Sequence, residues 1–145
     1  MSAESSTIQI EDVNVGDRLP VVVRRASRVQ LFLYSAATWN PHRIHYDASY
    51  ARLEGHPDVI VHGPLQGAWL SQYVTDWAGP RGRLLELSWQ NRASAVPETD
   101  YEFHGVVTAV DGDVVSLDVW EQTMDGAVIM PGKAKARLPR SQHPG

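Results

Sequence analysis

Two Gly-Pro pairs, Gly63-Pro64 and Gly79-Pro80, bracket one amphipathic segment at the centre of this sequence. Between them Leu65, Ala68, Trp69, Gln72, Tyr73 and Asp76 step by three and four residues, which predicts a single long helix. Gly63-Pro64 opens it, because proline at the first helical position gives up an N–H that has no partner there. Gly79-Pro80 stops it. Gly67, Ala68 and Ser71 keep part of its surface slim, so a sheet can wrap closely around it. Everything after this helix reads as strand. Residues 84–95, 101–110, 114–122 and 127–138 are separated by turn signals. Asp111-Gly112 and Asp125-Gly126 are predicted as hairpin turns, since both central positions tolerate positive φ. Val115, Leu117 and Val119 alternate with Ser116, Asp118 and Trp120, the period of a sheet with one buried face.

Upstream, residues 17–25 carry the β-branched run Val21-Val22-Val23 and read as a first strand. Ser27 is a plausible N-cap, and Val29, Phe32, Leu33 and Ala36 fall at helical spacing up to about Ala37. Residues 38–57 read as irregular, because Asn40-Pro41 breaks the helix and His56-Pro57 restricts the chain again. Within them, residues 49–54 have room for one or two helical turns. The sum is an α+β domain, an antiparallel sheet of about five strands wrapped around one central helix. That domain is expected over residues 8–138, with polar tails at 1–7 and 139–145.

Composition narrows the function. Lys plus Arg is 13 against 17 for Asp plus Glu, and the basic residues are scattered, so no nucleic-acid partner is expected. There is no cysteine, which removes disulfides, thiolate-bound zinc and a thiolate nucleophile. No stretch approaches the roughly 20 apolar residues of a membrane span, and residues 1–7 lack an apolar leader segment. A cytoplasmic protein with no membrane partner is the expectation.

Residues 35–51 read S-A-A-T-W-N-P-H-R-I-H-Y-D-A-S-Y-A. This resembles the hydratase motif of MaoC-like proteins and (R)-specific enoyl-CoA hydratases, and is similar to the branch of FAS1-like or type-2 hydroxyacyl-thioester dehydratases. Val61-His62-Gly63-Pro64-Leu65 resembles the V-H-G with which that family opens its central helix. The two motifs stand in the right order, and the resemblance covers roughly residues 19–138. It implies a hot-dog fold and a hydro-lyase that interconverts trans-2-enoyl and 3-hydroxyacyl thioesters, with acyl-CoA or another acyl thioester as substrate and no cofactor. It also implies a homodimer, or a heteromer with a second MaoC-like subunit. The stretch Tyr73-Val74-Thr75-Asp76-Trp77-Ala78-Gly79-Pro80 is similar to the small MaoC-like subunits of actinobacterial steroid side-chain hydratases, which points to bulky CoA substrates and a partner chain.

Hydrating an enoyl thioester needs a base for water, an acid for Cα, and donors for the charge that builds on the thioester oxygen. His45 is the candidate proton carrier, since imidazole exchanges protons near neutral pH. Gly63 stands at the positive end of the central helix, where its N–H is free for an oxyanion. Asn40, set by the rigid Pro41, is a candidate to hold water or the thioester, and His62 either ends a strand or lines the acyl pocket. Two departures from the family's pattern matter. Thr38 stands where an acidic residue is usual, and His45 lies two residues further from Asn40-Pro41. Three readings follow: Asp47 or a substrate water network takes the part of the carboxylate, or His45 acts alone while Thr38 and Asn40 position water, or the chain is a non-catalytic or half-site acyl-CoA-binding subunit. Asp47 has a competing role as an N-cap for residues 49–54. His42, His45 and Asp47 lack a further strong ligand at a recognised spacing, so no metal is expected. A thioesterase remains the third functional class, because one fold hosts both chemistries.

Overall fold

A computed structural model describes residues 7–142, and within them every strand joins one antiparallel sheet. In chain order the elements are β1 (Val22–Arg24), α1 (Arg28–Ala37), α2 (Ala48–Leu53), α3 (Gly63–Ala78), β2 (Arg83–Trp89), β3 (Tyr101–Asp111), β4 (Val114–Thr123) and β5 (Val128–Arg137). Short 3₁₀ turns at Ile10–Asp12 and Arg43–His45 complete the set. The sheet order β1-β3-β4-β5-β2 puts the β3-β4-β5 meander at the centre, with β1 and β2 on the two edges. The sheet curls around α3, and the fold is the expected α+β hot-dog.

The apolar alternation of β4 buries Val115, Leu117 and Val119 against the helix. Glu121 continues the same stripe and is buried too. From the other side α3 contributes Leu65, Trp69, Leu70, Tyr73 and Val74. The close approach of sheet to helix runs through Gly67, where a β-carbon would fall inside the ring of Trp89. Ala68 is exposed and Ser71 only half-buried, so of the three small residues Gly67 alone serves this contact.

Several boundaries differ from expectation for local reasons. β1 keeps three residues, and before it only a lone bridge from Arg18 to Val106 reaches the sheet. Pro20, which has no N–H for a ladder, stands between them. β2 stops at Trp89, and the chain beyond runs irregularly to Asp100. The first hairpin turn sits one residue later than predicted: Asp111 pairs with Val114, so Gly112 and Asp113 are the central residues, with Gly112 at φ 63°. The second is a three-residue loop, Met124-Asp125-Gly126, with Gly126 at φ 95° and its N–H donating to Thr123 O.

Helix α1 spans the predicted residues and Ser27 caps it, Oγ accepting from Gln30 N at 3.0 Å. Its orientation is the surprise. Leu31 and Ser35 are the buried residues, whereas Val29, Phe32 and Leu33 are 67%, 58% and 58% exposed. The apolar stripe that predicted the helix therefore faces away from the core.

Residues 1–6 and 143–145 of the two predicted tails lie outside the described residues. Near the described ends, Ile10 N donates to Pro139 O at 3.0 Å and Ser141 N to Glu11 Oε2 at 3.0 Å. No helix among the described residues is long and apolar enough to cross a membrane.

Candidate active site

His45 sits on the 3₁₀ turn Arg43–His45, which follows the proline that ends α1's excursion. His42 starts that turn by accepting from Ile44 N through Nδ1 at 3.3 Å. The turn delivers the His45 ring into the protein, with Nδ1 at 2.7 Å from Ile60 O. A carbonyl oxygen only accepts, so Nδ1 carries the proton and Nε2 keeps a lone pair. No hydrogen bond within the described residues uses Nε2.

The ring of His62 stacks on that of His45, centroids 3.8 Å apart and planes 18° from parallel. His62 is fully buried, with Nε2 at 2.7 Å from Ser35 Oγ and Nδ1 without a partner. This explains why α1 turns Ser35 inward: the hydroxyl meets an otherwise orphaned imidazole. Burial, and then the neighbouring His45, push the His62 pKa down to about 4. Burial also lowers that of His45, against a smaller opposing effect of the Ile60 carbonyl. Burial thus disfavours the charged form of both stacked rings.

His45 and Gly63 line one cavity of about 300 Å³, together with Gln66, Asn91, Arg92 and Ser94. Gly63 opens α3 with Pro64 behind it, and no side chain caps that helix. Its N–H has no acceptor within the described residues, so it stands free at the positive end of the helix. The cavity thus joins a basic ring nitrogen to an unpaired amide donor. A wider groove of about 570 Å³ lies on the sheet between Trp89 and Trp120, and its lining has no imidazole.

The other predicted residues fall elsewhere. Thr38 Oγ1 donates to Tyr34 O at 2.6 Å and ends α1. Asp47 caps α2, with Oδ1 accepting from Tyr50 N at 3.0 Å and Oδ2 from Arg43 Nη2 at 2.7 Å. These bonds hold its carboxyl below the ordinary range, the Tyr50 amide contributing most. Asn40 Oδ1 accepts from His42 N at 3.3 Å, and Asn40 lines a separate small pocket with Phe32, Trp39 and Tyr46. His62 backs His45 and is not among the lining residues. So His45 and Gly63 come together, while Thr38, Asn40, Asp47 and His62 lie outside the cavity wall.

Sequence reasoning passed over three polar residues. Glu121 is 0% exposed; Oε2 accepts from Gln66 Nε2 at 2.7 Å and Oε1 has no partner. Burial pushes its pKa up to about 7, partly offset by the Gln66 bond. Gln66 Oε1 in turn accepts from Asn91 Nδ2 at 3.1 Å. The one legible signal was Glu121 itself, an acid in the apolar register of Val115, Leu117 and Val119. Among the described residues no three His, Asp or Glu side chains converge as a metal site requires.

Comparison with known proteins gives a consistent result. The family described as Hydroxyacyl-thioester dehydratase type 2 matches residues 8–96. Mesaconyl-C(4)-CoA hydratase of Chloroflexus aurantiacus is 54% identical over 101 residues, which are 69% of this chain and 34% of that protein. The chain therefore spans about a third of that relative's length. The beta subunit of 3-oxo-4,17-pregnadiene-20-carboxyl-CoA hydratase of Mycobacterium tuberculosis is 28% identical over 108 residues, 72% of this chain and 81% of that one. A solved MaoC-like dehydratase superposes with a TM-score of 0.85 at 29% identity, covering 91% of this chain and 42% of the other.

Proposed function

The chain belongs to the type-2 hydroxyacyl-thioester dehydratase family, and on that premise we propose that it adds water to, or removes it from, an acyl-CoA thioester. The observation that carries the reading is the shared cavity of His45 and Gly63. In the hydration direction, His45 Nε2 takes a proton from water as the water oxygen bonds to C3 of the enoyl group. The π electrons move onto the thioester oxygen, where the Gly63 N–H stabilises the charge. The resulting imidazolium returns the proton to C2, which restores the thioester carbonyl and neutral His45. One imidazole acts first as base and then as acid, so no carboxylate at position 38 is needed. Dehydration is the reverse.

The test is a panel of trans-2-enoyl-CoA esters incubated with the purified chain. Loss of the conjugated-thioester absorbance without free-thiol release is the expected result. Thiol release in its place would make the chain a thioesterase and overturn the reading.

A second reading is favoured by the outward face of α1. Val29, Phe32 and Leu33 are exposed, and relatives of this chain are either much longer or named as a subunit. The chain is then a half-site acyl-CoA-binding subunit that works beside a second MaoC-like subunit, which completes the acyl pocket. On this reading it is silent with every enoyl-CoA by itself and gains activity only when the partner is supplied.

A further inference from the structure

Glu121, Gln66 and Asn91 form a polar chain from the core to the cavity wall that the reaction above leaves unused. With Glu121 ionised, each link has one way round. The Glu121 carboxylate accepts, so Gln66 must turn Nε2 toward it. Gln66 Oε1 then faces Asn91, which must donate through Nδ2. That leaves Asn91 Oδ1 as the free end, and it lies against the start of α3: a β-carbon at Gly63 would be 2.9 Å from it. The backbone is fixed to match. Between Glu121 and Gln122 the β4–β5 register slips, so that Glu121 pairs with Met130 and Gln122 with Val128. The bulged Ile129 offers its carbonyl to both Arg92 N, at 2.9 Å, and Ala93 N, at 3.2 Å, while Gln90 N donates to Pro131 O at 3.0 Å. Asn91 is therefore anchored on both flanks, as a bulge beside a site would arrange.

We propose that Asn91 is a substrate-contacting residue whose carboxamide oxygen holds the reacting water, and that the buried Glu121, acting through Gln66, is a positioning residue that keeps that oxygen facing the cavity. The proposal rests on the hydratase reading. A water that gives one proton to His45 Nε2 needs an acceptor for its second O–H, or it tumbles. The polar groups nearest in sequence are spent: the Thr38 hydroxyl on Tyr34 O, Asp47 on Tyr50 N and Arg43, Asn40 Oδ1 on His42 N. None of them lines the cavity, and Asn91 does. In the reverse direction the same oxygen accepts from the 3-hydroxyl before it leaves as water. On packing grounds alone a leucine would suit position 121 better, because one carboxyl oxygen is buried without a partner. A costly polar group that directs a second one into a site is what positioning looks like.

The experiment uses the full chain, a trans-2-enoyl-CoA that it hydrates, and the variants Asn91→Ala, Glu121→Leu and Glu121→Gln. Expected for Asn91→Ala is a fall in kcat of roughly tenfold or more with KM little changed, as for one lost hydrogen bond to a reacting group. Expected for Glu121→Leu is a similar fall in kcat with an unchanged or higher thermal midpoint. In nitrogen-15 spectra the Asn91 side-chain amide signals should shift and exchange faster in Glu121→Leu, less so in Glu121→Gln. Unchanged kcat in Asn91→Ala, unchanged Asn91 signals in both Glu121 variants, or kcat falling only in step with stability would each overturn the proposal. If the wild type hydrates no ester, the hydratase reading fails instead. The amide signals need no substrate and still decide whether Glu121 sets the Asn91 carboxamide. Should Glu121→Leu not fold, Glu121→Gln and Asn91→Ala carry the comparison.

Discussion

His45 owes its basic nitrogen to a backbone carbonyl. Ile60 O fixes the proton on Nδ1, and burial disfavours the charged ring, so the proposed base Nε2 keeps its lone pair without a carboxylate partner. Two outcomes follow. His45→Gln should lower kcat/KM by about 10²–10⁴-fold, the range for a lost general acid–base, while the circular dichroism spectrum stays native. The acid limb of the wild-type kcat/KM profile should have its midpoint below the ordinary 6.5, because burial lowers the His45 pKa. A midpoint above 6.5 would assign the base to another group. Stability should also carry the mark of the buried acid. Glu121 is raised from 4.5 to about 7, so between those values the folded chain binds more protons and its stability falls as pH rises. His62 is lowered from 6.5 to about 4, and in that window it acts the opposite way, adding stability as pH rises. Replacing Glu121 by Leu removes the first slope only. The unfolding free energy gained by Glu121→Leu should grow from about pH 4.5 to 7 and then level off, to a limit of up to about 3 kcal/mol.

At the scale of elements, two helices carry the informative positions. A β-carbon at Gly67 of α3 meets the Trp89 ring, so Gly67→Ala should cost about 1–3 kcal/mol in denaturant melts. Helix α1 ends in a Schellman arrangement, with Asn40 N donating to Ser35 O at 2.9 Å and Trp39 N to Ala36 O at 3.4 Å. The left-handed position, at φ 53°, is filled by Trp39, which is 89% exposed. Glycine is the residue such a position favours, so Trp39→Gly should add about 1 kcal/mol in the same melts. Both helices were legible in the sequence because their ends are chemical: Ser27 before α1, and the Gly-Pro pairs around α3. The facing of α1 was not. Helical spacing of Val29, Phe32 and Leu33 announces an apolar side without saying whose surface it meets. Asp47 and Thr38 stood inside a site-like motif, yet their bonds are local, closing one short helix and one helix end. Glu121, Gln66 and Asn91 escaped for the converse reason. They stand 55 and 25 positions apart along the partner pairs, and only the curl of the sheet unites them.

At the scale of the molecule, large apolar side chains on α1 and the segment after it stay exposed. Val29, Phe32, Leu33 and Trp39 are all exposed, and Tyr46 and Leu53 add to that total. Such a face on a monomer invites a partner. Light scattering should report a mass above that of one chain, either alone or with a second MaoC-like subunit, and Phe32→Asp with Leu33→Glu should return it to the single-chain value without loss of fold. Retained association in that variant would move the interface to the sheet edges. For the chemistry itself, the decisive observation is a crystal structure with a slow 3-hydroxyacyl-CoA thioester bound, or with a non-reacting ketone analogue that keeps the C1 carbonyl and replaces the sulfur by CH2. Expected is the C1 oxygen within hydrogen-bond distance of Gly63 N and the 3-hydroxyl within that distance of His45 Nε2. An acyl group lodged instead in the groove between Trp89 and Trp120, with the His45 cavity left to solvent, would contradict the assignment.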